Sequence, residues 1–212
     1  MKALLLVDWY QAKKYGRMFF VLDVFFIAVG LTQSSFYATY FPSMSMVLAG
    51  LLAMSLLAYD EQSRWNIFAQ ALPCTRKQQV GVKYLGVLVV VAVTWTVLML
   101  MLTVKAIMGS MPPEGLLFLA PVYVAAGLIP PSILLPIVFR FGMNKGRIVY
   151  IALIMLISVS GGVLNNLDLD LANFTIPTLN GPVLAIGLVL AAAAVFAGSW
   201  ALASRWYEKR EL

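Results

Sequence analysis

An all-α membrane protein with six transmembrane helices is predicted by three features of this chain: an apolar excess, six long apolar stretches, and basic residues gathered at alternate connections. Of its 212 residues, 62% are apolar and 11% charged, against roughly 45–50% and 25% in soluble domains. Most of the surface therefore faces lipid. A helix needs about 20 apolar residues to cross a hydrocarbon core ~30 Å thick, so the length suits one transmembrane domain over 1–212 and no sizeable extramembrane domain.

Residues 1–17 come first. A lysine precedes a short apolar run, but that run is too short for a signal-peptide core and no small-residue cleavage site follows. The better expectation is an interfacial helix, with Trp9 and Tyr10 toward lipid and Lys13, Lys14 and Arg17 toward headgroups. Six apolar stretches follow, at 18–40, 42–59, 81–107, 116–139, 148–164 and 182–204. The fourth carries Pro121, Pro130, Pro131 and Pro136, which remove backbone donors, so it is expected to be kinked or broken.

Orientation follows from charge. Lys2, Lys13, Lys14 and Arg17 precede the first span; Arg64, Arg76, Lys77 and Lys83 lie between the second and third. Arg140, Lys145 and Arg147 lie between the fourth and fifth; Arg205, Lys209 and Arg210 follow the sixth. Fourteen of the fifteen basic residues thus fall on one side, which the positive-inside bias assigns to the cytoplasm together with both termini. Lys105 alone faces out, at a span end where its stem can snorkel. The net charge of +6 is chiefly this topology signal and attracts anionic membrane lipid; no nucleic-acid partner is expected.

Absences narrow the chemistry. With no histidine and one cysteine, Cys74, the chain has no His-based nucleophile pair, no intrachain disulfide and no thiolate metal cluster, so no catalytic or metal residue is assigned. The nearest approach to a phosphate-binding loop, GMNKGR at 142–147, lacks the required spacing and hydroxyl. Any ATP is bound by another chain. The segment 165–181, with Asp168, Asp170 and Pro177, is free of basic residues and forms an extracellular loop. Its Asn173-Phe174-Thr175 glycosylation pattern is read as chance. The eleven methionines fit lipid-facing or core positions.

The connection DEQSRWNIFAQALPCTRKQQV, residues 60–80, stands out. Asp60 and Glu61 suit a helix N-terminus. Trp65, Phe68 and Leu72 recur at i, i+3 and i+7, Pro73 ends the helix, and Thr75 with Gln78 reads as a capping box opening the third span. Periodicity alone leaves two uses for the 60–73 helix: resting on the inner leaflet with Trp65 as anchor, or docking a soluble partner.

The residues Glu61, Ser63, Trp65, Leu72, Pro73, Thr75, Arg76, Val80, Lys83 and Tyr84 resemble the coupling-helix region of small ABC-2 type exporter permeases. Ser63 stands one residue early for that pattern. The resemblance implies a permease of the bacterial inner membrane, working as a dimer with a second copy or a homologue, bound to two ATPase subunits that hold ATP and Mg. It also implies that Asp60, Glu61, Arg64, Trp65, Phe68, Leu72 and Arg76 couple to those ATPases. By size it is similar to bacterial exporters of phenol-soluble modulins and lantibiotic-like peptides, which implies a peptide substrate.

For the pathway, the candidates are Asp23, an acid inside the first span, and the polar patch Gln33, Ser34, Ser35 and Tyr37 near its outer end. Asp23 is shallow enough to reach the inner interface or to pair with Arg17 or a neighbouring span, and the patch equally suits helix-packing hydrogen bonds. Spans so poor in fixed charge favour an amphipathic or antimicrobial-type peptide over a strongly ionic solute. Other readings are a substrate-binding membrane module of an uptake complex, a lipid or small hydrophobic drug permease, a secondary transporter and an intramembrane hydrolase. The last is disfavoured because Asp23 is the only plainly intramembrane acid.

Overall fold

The computed structural model describes residues 6, 10–14, 16–32, 37–62, 75–109, 113–166 and 181–208, and its regular structure there is helical throughout. Six long helices follow one another: α1 Arg17–Thr32, α2 Tyr37–Gln62, α3 Arg76–Ile107, α4 Pro113–Phe141, α5 Met143–Asn166 and α6 Gly181–Glu208. Each overlaps one predicted apolar stretch, but the first, 18–40, is too long: α1 is described only to Thr32 and α2 already begins at Tyr37. Among the described residues, four segments are long and apolar enough to cross a bilayer: Tyr40–Asp60, Arg76–Ile107, Phe118–Phe141 and Val183–Glu208. The predicted first and fifth spans correspond to α1 and α5, which are helical but outside that set of four.

The start of α1 modifies the expected boundary at residue 17. Residues 10–14 are helical, Gly16 N–H donates to Ala12 O at 2.7 Å, and Phe20 N–H donates to Gly16 O at 2.9 Å. Helical i→i−4 bonding is thus present on both sides of Gly16. A Cβ at Gly16 would lie 2.3 Å from Ala12 O, so this close junction requires glycine.

The core is built around α4, which packs against α2, α3, α5 and α6, while α1 packs on α2 and α3. Met46, Val80, Val87, Leu98, Tyr123 and Leu134 are wholly enclosed. Where α2 crosses α4, a Cβ on Gly50 would meet Gly127 O at 2.3 Å, and one on Gly127 would meet the Met46 side chain at 2.9 Å. Two glycines let the backbones touch, as small residues do in membrane bundles.

Of the expected kink or break, the break is absent: α4 is one continuous helix through Pro121, Pro130, Pro131 and Pro136. At Pro136 a neighbouring helix takes up what the proline releases. Pro136 has no N–H for Ser132 O, and that carbonyl instead accepts from Ser199 Oγ of α6 at 2.6 Å. Tyr84 Oη of α3 in turn lies 2.7 Å from Ser199 Oγ. Pro131 likewise leaves Gly127 O without its helical donor, and this is the carbonyl that Gly50 approaches. Prolines are tolerated inside membrane helices when adjacent elements re-satisfy the freed groups.

Candidate functional site

Polar side chains tie α3 to its neighbours at three levels, eleven residues apart: Lys83, Thr94 and Lys105. At 1.5 Å per residue each interval is about 16 Å, so the lysines are ~33 Å apart along the axis, close to one hydrocarbon thickness.

The first level is a buried ion pair. Lys83 Nζ lies 2.6 Å from Asp60 Oδ2, with the Asp60 side chain 1% and the Lys83 side chain 10% exposed. Gln11 Nε2 donates to the other carboxylate oxygen at 2.9 Å. This corrects the expectation that Asp60 opens a cytoplasmic helix. It lies in the last turn of α2, which runs to Gln62, where a negative charge opposes the helix dipole and needs a cation to hold it. Lys83 is that cation. Glu61 follows in the same turn, but its side chain lies outside the described residues.

The beginning of α3 also grips the end of α6. Thr75 caps α3 in extended conformation, its side chain accepting from Gln78 N–H while the Gln78 side chain accepts from Thr75 N–H. The predicted capping box is present. Arg76 Nη1 donates to Tyr207 O at 3.3 Å and Glu208 O at 3.1 Å, carbonyls in the final described turn of α6, where a cation complements the dipole. Lys77 pairs with Glu208 at 3.5 Å, and Tyr207 Oη donates to Gln79 Oε1 at 3.3 Å. Residues 63–74 therefore run between two anchored points: the Asp60 end of α2, and a helix start held by α6. Of the proposed coupling residues, Arg64, Trp65, Phe68 and Leu72 lie in this segment, outside the described residues. Asp60 and Arg76 are its two bolts.

The second level involves Asp23. Ser45 Oγ donates to Asp23 Oδ1, and Thr94 Oγ1 approaches Oδ2 at 3.5 Å, the outer limit of a hydrogen bond. Thr94 is about 16 Å along α3 from Lys83. Asp23 therefore lies level with the middle of α3 and bonds to α2 and α3, the neighbouring-helix pairing that was one of its expected uses. It reaches that level because the helical chain before it, at Gln11, is already held at the level of Asp60. Gln33, Ser34, Ser35 and the Tyr37 side chain lie outside the described residues.

At the third level Lys105, 8% exposed, donates to Gly30 O at 2.6 Å. It folds back onto the carbonyl end of α1, where a cation complements the dipole, instead of snorkelling away. Sequence reading missed Gln11, the Ser132–Ser199–Tyr84 chain and the pairing of Lys83. The one available signal was the equal spacing of Lys83, Thr94 and Lys105, which places them on one face of a helix.

The contacts also bring the basic segments to one end of the bundle. Gln11 meets Asp60 and Lys83, Arg76 meets the α6 terminus, and the Arg140 guanidinium carbon stands 4.5 Å from the Trp206 ring centroid. Among the described residues no group of three or more metal-ligating side chains occurs.

A family model described as ABC-2 family transporter protein matches residues 3–208 of the chain. No curated protein and no solved structure matches it.

Proposed function

The chain belongs to the ABC-2 transporter family, and from that premise we propose that it moves amphipathic or antimicrobial-type peptides outward as the membrane subunit of an ATP-driven exporter. Membership makes it a permease subunit of an ABC transporter, and its apolar helices make it a multi-pass membrane protein. The remainder is our reading. All six helices span the bacterial inner membrane, with both termini in the cytoplasm. Two ATPase subunits hold ATP and Mg and perform the hydrolysis, while this chain does no catalysis. A second copy or a homologue completes the pathway.

What supports coupling through residues 63–74 is the anchorage at both ends of that segment. Asp60 is bound to Lys83 and Arg76 to the end of α6, so a push on the segment from an ATPase is carried into α2, α3 and α6 together instead of being absorbed by fraying ends. Co-purification from native membranes tests this. A stoichiometric ATPase is expected with the wild-type chain, and Trp65→Ala, removing the largest apolar anchor of the segment, is expected to weaken its association by about 2 kcal/mol, some thirtyfold. Unchanged association and unchanged stimulated hydrolysis would return the segment to a leaflet-resting role. For the substrate, a reconstituted complex that accumulates sugars, ions or nucleotides and ignores amphipathic peptides would refute the peptide assignment.

A further inference from the structure

At the basic end of the bundle, four cations stand apart from the network around Lys83. Arg140 closes α4, Lys145 and Arg147 begin α5, and Arg205 lies in the last turn of α6. All four are exposed, and among the described residues none has a carboxylate partner within ion-pair distance. Arg140 and Arg205 complement the dipoles of the helices they end. Lys145 and Arg147 do the opposite, placing positive charge at the start of α5 where the dipole disfavours it. Helix stability therefore does not account for them.

Aromatic rings set the geometry. The Arg140 guanidinium carbon is 4.5 Å from the Trp206 ring centroid and 4.9 Å from that of Phe141, and Lys145 Nζ is 5.2 Å from the same Phe141 ring. Cation–π contact orients the Arg140 guanidinium through its face, leaving its in-plane N–H donors free, and leaves the Lys145 ammonium the N–H donors that do not point at the ring. A guanidinium held this way presents the fork that binds a phosphate oxygen pair. Exposed apolar side chains follow on each helix: Ile148, three residues after Lys145, is 68% exposed, with Met155 61% and Leu156 70% further along α5, and Leu202, four residues before Trp206, is 41% exposed on α6.

We propose that Arg140 and Lys145 seat the phosphodiester of an anionic phospholipid, whose acyl chains lie along the exposed faces of α5 and α6. Charge complementarity and the adjoining apolar faces together favour a lipid over a free anion or an acidic protein. The proposal rests on the reading of the chain as a membrane permease with this end at the inner leaflet.

The test uses the full chain purified in neutral detergent, offered phosphatidylglycerol or phosphatidylcholine, with bound lipid counted by native mass spectrometry. Preference for phosphatidylglycerol is expected to fall about fivefold in Arg140→Gln and again in Lys145→Gln, each removing one surface cation. Arg140→Lys should retain an intermediate preference, and inorganic phosphate should not displace the lipid. Both residues are exposed, and unfolding temperatures in phosphatidylcholine check that the variants fold; the wild-type comparison stands without them. Equal retention of the two lipids by wild type, or full preference in the double variant, overturns the proposal. Displacement by inorganic phosphate overturns the lipid assignment. Loss of a co-purifying ATPase from the double variant, with lipid preference intact, makes the cluster a protein dock instead. Co-purification of wild type with an ATPase tests the permease reading separately, so either can fail while the other stands.

Discussion

Lys83 and Lys105 sit near opposite ends of α3, equally buried at 9% and 8% exposed, yet they answer different needs. Lys83 neutralises a carboxylate that is itself enclosed. Lys105 donates to a main-chain carbonyl at a helix end. Removing one partner of a buried pair strands the other charge, whereas removing the donor from the Gly30 carbonyl leaves that neutral group unsatisfied. Of these two lysines, the one at the basic end thus serves a charge pair and the other a helix terminus.

The largest effect should come from breaking the charged end. Lys83→Met is expected to destabilise the protein by about 3–5 kcal/mol by leaving the buried Asp60 carboxylate without the lysine cation. Adding Asp60→Asn should restore much of the loss, and thermal unfolding of both single variants and the double variant in detergent measures the coupling. If the double variant is no more stable than Lys83→Met alone, the pair is not the anchor described.

Lys105→Met probes the other end. About 1–3 kcal/mol should be lost, the usual range for a stranded buried acceptor, and no change at Asp60 should rescue it. A loss matching that of Lys83→Met would erase the contrast.

Smaller again is Thr75→Ala, which removes one half of the capping box and should cost about 1 kcal/mol. Hydrogen exchange in the first turn of α3 should rise, while exchange near Lys105 stays unchanged. Thr94→Val, at the middle level, should cost less still, because its 3.5 Å approach to Asp23 is a poor hydrogen bond and Ser45 remains in place. A shift in unfolding temperature as large as that of Lys105→Met would show that the middle level carries more than its geometry suggests.

The Thr75–Gln78 box was legible in advance because both partners lie within one turn, so residue type and spacing are enough. Asp60 was not. Local pattern placed it at a helix start, yet α2 extends through it because Lys83, 23 positions along the chain, and Gln11 meet it there. The prolines of α4 show the same limit from the other side. Each predicts a lost hydrogen bond, and whether the helix breaks depends on a donor such as Ser199, which the sequence cannot place beside Ser132.

What the sequence by itself determined was the helical class, the six apolar stretches and the gathering of basic residues at one end, since partition between water and lipid acts on each segment almost independently of the others. The polar partners at each level were decided only by the tertiary structure: Lys83 with Asp60, Thr94 with Asp23, Lys105 with Gly30. Those matches depend on how far each helix slides against its neighbours, a quantity set by packing such as the Gly50–Gly127 crossing and written in no single segment.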